Sequence, residues 1–256
     1  MKSRHYKAVF LFALIFSFFL IGNYIGRFNE NSIQVLDEKK YNETEYKNEV
    51  SNKTQAGGKE DKVAYLTFDD GPSKNTKKVL NILDKYNAKA TFFIIGEQIT
   101  DEYKDIVKEI VDRGHSIGIH TFCHDYKKIY TNCESYIHDF EKTCDILNQT
   151  IGYIPKIYRF PGGSCNVYIG CIKSDIIDEL NGRGFKYYDW NVSGEDSVGH
   201  PSSDSIYRNV VKDVTNFNEP VILLHDSSLN SNTVNILPRI IEYIISKGYT
   251  LKPISE

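Results

Sequence analysis

From Lys62 to the end of the chain, short apolar runs alternate with amphipathic stretches, and this alternation limits the fold more than any other feature. Val63–Phe68, Ala90–Ile95, Ser116–His120, Lys156–Phe160, Phe185–Trp190, Pro220–Leu224 and Tyr249–Pro253 read as strands. Lys74–Tyr86 carries Val79, Leu80, Ile82 and Leu83 at helical spacing, and Asp101–Arg113 carries Ile106, Val107, Ile110 and Val111 before Gly114 ends it. Tyr136–Leu147, Ser174–Leu180, Ser203–Phe217 and Val234–Ser246 are the remaining helices, with Pro238 expected near the first turn of the last. About seven strand–helix units imply a parallel sheet covered by helices. The expected class is α/β, a distorted (β/α)7-8 barrel with parallel strands; an open doubly wound sheet is the alternative. In either, working groups collect at the carboxyl ends of the strands.

The start of the chain is different. Lys2, Arg4 and Lys7 precede an apolar run, Ala8–Ile21, broken only by Ser17. A basic flank before an apolar core marks a secretory signal or a signal anchor. The small residues nearby, Gly22 and Gly26, have large Leu20 and Tyr24 two positions before them, so an A-x-A-like cleavage site is missing. The reading favours an uncleaved transmembrane helix over a cleaved signal. It places the basic tip in the cytoplasm and the rest outside the cell. Residues 27–61 are rich in Asn, Glu and Lys and read as a flexible polar linker, too poor in apolar side chains to offset the entropy of ordering. The expected division is thus 1–26 as tip and anchor, 27–61 as linker and 62–256 as the folded domain.

The net charge of −3 gives no basic field for nucleic acid, so no nucleic-acid partner is expected. The five cysteines lack a C-x-x-C pair, which argues against a zinc ribbon or a thioredoxin-like site. Cys165 and Cys171 flank a short loop and could close a disulfide outside the cell; the alternative is two unrelated thiols.

The polar residues fall in a pattern. Asp69 and Asp70 follow the first strand, in Thr67-Phe68-Asp69-Asp70-Gly71-Pro72. His120 and His124 follow the third, Arg159 ends the fourth before Pro161-Gly162-Gly163, Asp189 and Trp190 end the fifth, and His225 and Asp226 end the sixth. A parallel barrel brings all of them to one mouth. Two imidazoles and a carboxylate can hold a divalent ion with positions left open. The spacing of His120 and His124 puts both rings on one face if the chain turns helically after the strand. Side chains of consecutive residues diverge, so one aspartate is free to bind metal while the other accepts a proton. Each motif alone has an ordinary explanation. Asp-Asp-Gly-Pro is usually a turn, paired histidines occur on surface helices, and a lone histidine is often a core residue. Their coincidence at matched strand ends favours a site.

These residues resemble the signature of the polysaccharide deacetylases, carbohydrate esterase family 4, also called the NodB homology domain. The resemblance covers Val63 to Pro253, about three quarters of the chain. It implies a distorted barrel and metal-dependent deacetylation. By resemblance, Asp69 is the catalytic base, and Asp70, His120 and His124 hold the metal, usually zinc, with cobalt or another divalent ion as substitute. Arg159 orients the base. His225 is the general acid, and Asp189 pairs with it to keep its proton available. Trp190 and Leu223 line the pocket for the acetyl methyl, and the Gly162 N–H helps stabilise the oxyanion. The chain departs from the family at Gly162, where many members carry an aromatic residue, so a stacking surface is expected to be lost. Cys123 between the histidines is expected to be a small packing residue.

A domain tethered outside the cell reaches the wall, so the expected substrate is N-acetylglucosamine in peptidoglycan. Chitin-like oligomers, poly-N-acetylglucosamine, N-acetylmuramic acid and O-acetylated xylan are rivals. A non-catalytic wall-binding module on the same barrel is the reading from another class. It predicts the loss of a metal or acid–base group, and none is missing.

Overall fold

The computed structural model describes residues 62–255, so the expected anchor and linker lie outside the described residues. Among the described residues no helix is long and apolar enough to cross a membrane.

The chain order is β1 (Val63–Gly71), α1 (Lys74–Lys85), β2 (Ala90–Ile94), α2 (Lys104–Asp112), β3 (Ser116–Ile119), α3 (Tyr126–Ile129), α4 (Cys133–Ile151) and β4 (Ile157–Tyr158). There follow α5 (Lys173–Gly182), β5 (Lys186–Tyr187), β6 (Val192–Ser193), α6 (Ser203–Asp213), β7 (Val221–His225), α7 (Ser231–Ser246) and β8 (Thr250–Leu251). All strand pairs are parallel, in the order β5-β4-β3-β2-β1-β7-β6, with β8 against the start of β1.

This is a barrel that hydrogen bonds do not close, because β5 and β6 are its two edges. They are consecutive in the chain. The single strand expected at Phe185–Trp190 is instead two short pieces. Lys186–Tyr187 pairs with β4 and Val192–Ser193 pairs with β7, so the segment between them spans the opening. Each edge holds its end of the span: Tyr188 N–H donates to Tyr158 O at 2.9 Å and Asn191 N–H to Val221 O at 3.1 Å.

Burial follows the alternation of β1. Ala64, Leu66 and Phe68 face the main core beneath the helices, with Phe92, Ile94, Ile117 and Ile119 from the neighbouring strands. Each such side chain contributes about 1.5–3 kcal/mol by leaving water. A smaller cluster of Phe93, Ile157 and Ile254, flanked by Tyr65, Tyr188 and Val221, forms separately. Thr67 and Asp69, alternate residues of β1 with Tyr65, remain as buried polar groups near it.

Two helices begin earlier than their apolar periodicity suggests. In α4 the Asn132 side chain caps Ser135 N–H, and Gly152 ends the helix at φ 83°, so the caps set its length. In α7 the start at Ser231 puts Pro238 inside the helix rather than in its first turn. Val234, Leu237 and Ile241 are buried on that helix, so packing outweighs the hydrogen bond that proline removes. All five cysteines are free thiols, and Cys165 and Cys171 are exposed without bonding each other.

Candidate active site

The site starts from an irregularity in β1. Asp69 pairs with Phe93 and Gly71 with Ile94 of β2, leaving Asp70 as an extra residue. Asp70 has φ 71°, a left-handed conformation that a bulge can impose. In a regular strand, neighbouring carboxylates would point to opposite faces. Here Asp69 Oδ2 and Asp70 Oδ1 lie 3.7 and 3.6 Å from the same atom, His120 Nε2.

His120 and His124 converge without a helix. The segment after β3 kinks at Thr121 (φ 64°) and His124 (φ 52°), which corrects the expected helical turn. The buried Asp139 carboxylate of α4 holds this segment: its Oδ1 accepts from Phe122 N–H at 2.5 Å, and Cys123 N–H lies 3.3 Å from Oδ2. The rings of His120 and His124 stand 5.0 Å apart, and His124 Nε2 is 3.3 Å from Asp70 Oδ1.

The residues fit a divalent ion. One ligand atom each from Asp70, His120 and His124 lie within 4.8 Å of one another. Asp70 Oδ1 is buried with no hydrogen-bond donor among the described residues, an expensive state for a carboxylate unless a cation faces it. His120 Nδ1 is 2.9 Å from Arg159 O; as the donor there, it leaves the Nε2 lone pair aimed at the cluster. Burial, with a smaller push from His124, lowers the His120 pKa to about 4 against the pull of Asp69 and Asp70, so the ring is neutral as a ligand must be. Cys123 is outside the cluster. Burial and a hydrogen bond to Asp139 raise its thiol to about 11, which suits a packing residue.

Asp69 is held for a different task. Its Oδ1 accepts from Arg159 Nη1 at 2.9 Å, and both side chains are buried. The guanidinium is fully buried and four of its five N–H donors are used: besides the bond to Asp69, Nη1 reaches Thr67 Oγ1 at 2.7 Å, Nε reaches Tyr188 O at 2.7 Å and Nη2 reaches Asp189 O at 3.2 Å. The cation also lies 4.2 Å from the centre of the Phe93 ring. Asp69 Oδ2 therefore remains to face the cluster.

His225, at the end of β7, pairs with Asp196 and not with the expected Asp189. Its Nδ1 lies 2.7 Å from Asp196 Oδ1, and its own N–H donates to Asp196 Oδ2 at 2.8 Å. Thr233 Oγ1 donates to the same carboxylate at 2.6 Å. Burial disfavours the imidazolium, but the hydrogen bond and charge of Asp196, with the fields of Asp69 and Asp70, outweigh it and raise His225 to about 9. Asp189 serves the neighbouring loop, its Oδ1 accepting from Ser164 N–H at 3.0 Å. The reading missed Asp196 because it ended the strand at Trp190. The signal was an acidic residue just past the second half-strand, in Gly194-Glu195-Asp196.

The loop after β4 is fixed from beneath. Tyr130 Oη and Asn166 Nδ2 both donate to Pro161 O, at 2.9 and 3.0 Å, and Gly162 and Gly163 take φ 76° and 80°. A Cβ on Gly163 would lie 2.9 Å from Trp190 Cη2, so the indole covers that glycine. Leu223 is buried on β7, in register with Thr67 and Ser193.

Comparison with known proteins agrees with this geometry. Residues 56–179 match the family described as polysaccharide deacetylase. A peptidoglycan-N-acetylglucosamine deacetylase of Bacillus cereus is 35% identical over 204 residues, 78% of this chain and 71% of that one. A bifunctional xylanase/deacetylase of Pseudobutyrivibrio xylanivorans is 34% identical over 76% of this chain but only 30% of its own length. The crystal structure of the catalytic domain of a peptidoglycan N-acetylglucosamine deacetylase from Eubacterium rectale superposes with a TM-score of 0.71 at 37% identity, covering 79% of this chain and 93% of that chain. The chain belongs to the polysaccharide deacetylase family. Within that class its relatives are deacetylases of carbohydrate polymers, hydrolases that release acetate.

Proposed function

We propose that this chain removes N-acetyl groups from N-acetylglucosamine residues of a cell-wall polysaccharide, peptidoglycan first. The observation that carries the reading is the meeting of two pairs at one strand end beside the ligand cluster. Asp69 of the Asp69–Arg159 pair is in register with His225 of the His225–Asp196 pair, and Asp69 Oδ2 lies 3.7 Å from His120 Nε2 of the cluster.

Asp70, His120 and His124 would hold the ion, zinc by family habit, with cobalt or another divalent ion able to replace it. A divalent cation there supplies Lewis acidity, which polarises a carbonyl and eases the ionisation of water. Asp69 Oδ2 takes the proton from the attacking water, while Arg159 keeps Oδ1 occupied and the carboxylate oriented. The water oxygen bonds to the acetyl carbon. Negative charge then gathers on the carbonyl oxygen, to which the Gly162 N–H is proposed to donate. His225, bonded through Nδ1 to Asp196, gives its Nε2 proton to the amide nitrogen as the C–N bond breaks. Acetate and a free amine result. Trp190 and Leu223 are proposed to bound the methyl group.

The basic flank and apolar run at the start of the sequence support placement outside the cell on a membrane anchor, within reach of the wall. The test is metal content measured together with acetate release from purified peptidoglycan, chitin oligomers and acetylated xylan, before and after chelation. Full activity in metal-free protein ends the metal-dependent reading. Release from xylan alone moves the substrate to an O-acetyl ester.

A further inference from the structure

Arg159 and Asp69 meet although their strands are not neighbours. Arg159 follows β4 and Asp69 lies on β1, with β3 and β2 between them in the sheet. The side chain that donates to Asp69 Oδ1 therefore crosses two strands. The residues level with Asp69 on those strands are Phe93 of β2 and Gly118 of β3, successive partners in register. The ring of Phe93 lies where a side chain at Gly118 would stand: a Cβ there would clash with Phe93 Cδ1 and Cε1. Over this ring lies the guanidinium of Arg159, its central carbon 4.2 Å from the ring centre. The Trp190 ring centre is 5.6 Å from the same carbon. Phe93 is fully buried and packs with Ile157 and Ile254 in a cluster apart from the main core. The tail that brings Ile254 there is tied to the sheet: Ile254 N–H donates to Thr91 Oγ1 and Ser116 Oγ donates to Ile254 O, both at 2.8 Å. Packing alone calls for a large apolar side chain at Phe93. It does not call for an aromatic face beneath a buried cation.

We propose that Phe93 is a positioning residue for the reaction: its ring, laid over Gly118, seats the Arg159 guanidinium and through it fixes the orientation of the base Asp69. The proposal rests on the deacetylase reading and deepens it. A buried cation is costly unless groups around it replace the water it has lost. Asp69 is the carboxylate bonded to this guanidinium, and the negative face of an aromatic ring supplies further compensation, more strongly where water is excluded. The guanidinium is also planar, with its donors in one plane. A flat seat therefore sets the plane in which Nη1 meets both Asp69 Oδ1 and Thr67 Oγ1. Asp69 Oδ2 is then held 3.7 Å from His120 Nε2, facing the ligand cluster. An aliphatic side chain could fill the same space, but it has no negative face to hold the cation. Phe93 has no surface open to substrate, so it acts on the reaction through Arg159.

The test uses the full chain loaded with zinc, with acetate release from a soluble N-acetylglucosamine oligomer as the signal. Phe93 is replaced by phenylalanine carrying one, two or three ring fluorines, which nearly keeps its shape and weakens the negative face step by step. With each added fluorine kcat is expected to fall, reaching about tenfold below the parent with the third, equivalent to about 1.4 kcal/mol of barrier. KM and bound zinc should stay within about twofold of the parent, because the lost interaction touches neither substrate nor ion. Phe93→Leu should show the same split between kcat and KM. In the Arg159→Gln background the cation is gone, so three fluorines should lower kcat by no more than about twofold further. A residue that only packs would give the same kcat with and without fluorine. Parental kcat in the trifluorinated protein overturns the proposal, as does a fluorine effect undiminished in the Arg159→Gln background. A parent protein that releases no acetate overturns the deacetylase reading instead.

Discussion

His225 Nδ1 and Asp196 Oδ1 lie 2.7 Å apart, and this contact sets the pH range in which His225 can donate a proton. With its pKa raised from 6.5 to about 9, the imidazole holds its proton through neutral pH and loses it as the pH rises through that value. Acetate release by the parent should therefore fall on an alkaline limb above neutrality. Asp196→Asn removes the anion, so the limb should move down toward 6.5. The rate at pH 8 should drop about 30-fold, the ratio of protonated His225 at a pKa of about 9 to that at 6.5. A limb that does not move in the variant excludes His225 as the titrating donor. The pair also stabilises the fold, most fully below pH 6.5 and progressively less as the pH rises through about 9.

Asp69 and Asp70 should separate cleanly in a metal assay. Asp69 Oδ1 is committed to Arg159, whereas Asp70 Oδ1 has no donor among the described residues and faces both imidazoles. Asp69→Asn is expected to bind a divalent ion as the parent does and lose about 10²–10⁴-fold in acetate release. Asp70→Ala and His120→Ala are expected to lose the metal as well as the activity. The check is metal analysis of each purified variant beside its rate. Zinc retained at parental level in His120→Ala would remove that residue from the ligand set.

Most of this site was legible in the sequence because its side chains follow strands whose apolar runs are unambiguous. Asp69, His120, Arg159 and His225 all sit at such ends. What was not legible depends on backbone conformation. The bulge that turns Asp70 back toward His120 leaves no mark in the residue pattern, and the left-handed kinks at Thr121 and His124 replace a helical turn of equal length. Asp196 was missed for a related reason. Strands β5 and β6 are two residues each, too short for a periodicity, and they pair with opposite edges of the sheet.

Asp139 is expected to govern metal affinity without touching the ion. Its buried carboxylate accepts the Phe122 N–H and lies within reach of the Cys123 N–H, the two amides between the histidines' kinks. Asp139→Ala leaves both donors without that partner, at a cost of about 1–3 kcal/mol. The His124 ring should then be less well placed, with metal affinity lowered about 10–100-fold, the usual effect of losing an outer support. Asp139→Asn keeps one acceptor oxygen and should lie between. Zinc titration and urea unfolding measure the two effects separately. Parental zinc affinity in Asp139→Ala, with lowered stability, would make Asp139 a folding residue only.

Gly71 is a glycine because Asp226 lies against it. A Cβ at Gly71 would sit 2.7 Å from both carboxylate oxygens of Asp226, a separation that forces one of them to move. Only Oδ2 is tied by a hydrogen bond, and Oδ1 has none among the described residues, but the backbone on either side of the carboxylate is held. Asp226 N–H donates to Asp69 O at 3.1 Å, Ser73 Oγ donates to Asp226 O at 2.6 Å, and Thr76 Oγ1 donates to Asp226 Oδ2. These bonds tie the end of β7 to the turn that carries Asp69 and Asp70. Gly71→Ala should therefore destabilise the fold by about 1–3 kcal/mol through overpacking. It should also lower acetate release, since the displacement is passed to the base and the ligand on either side. Burial raises the Asp226 pKa to about 7, and its carboxylate bonds a hydroxyl, Thr76 Oγ1, rather than a cation. Asp226→Ala takes away the obstructing oxygens. In the double variant the loss should then be smaller than the sum of the single losses by about 0.5–3 kcal/mol, as for residues in direct contact. Urea unfolding of the parent, both single variants and the double variant measures that coupling. Strictly additive losses would show that the two residues do not press on each other, and would leave the glycine to be explained by the turn alone.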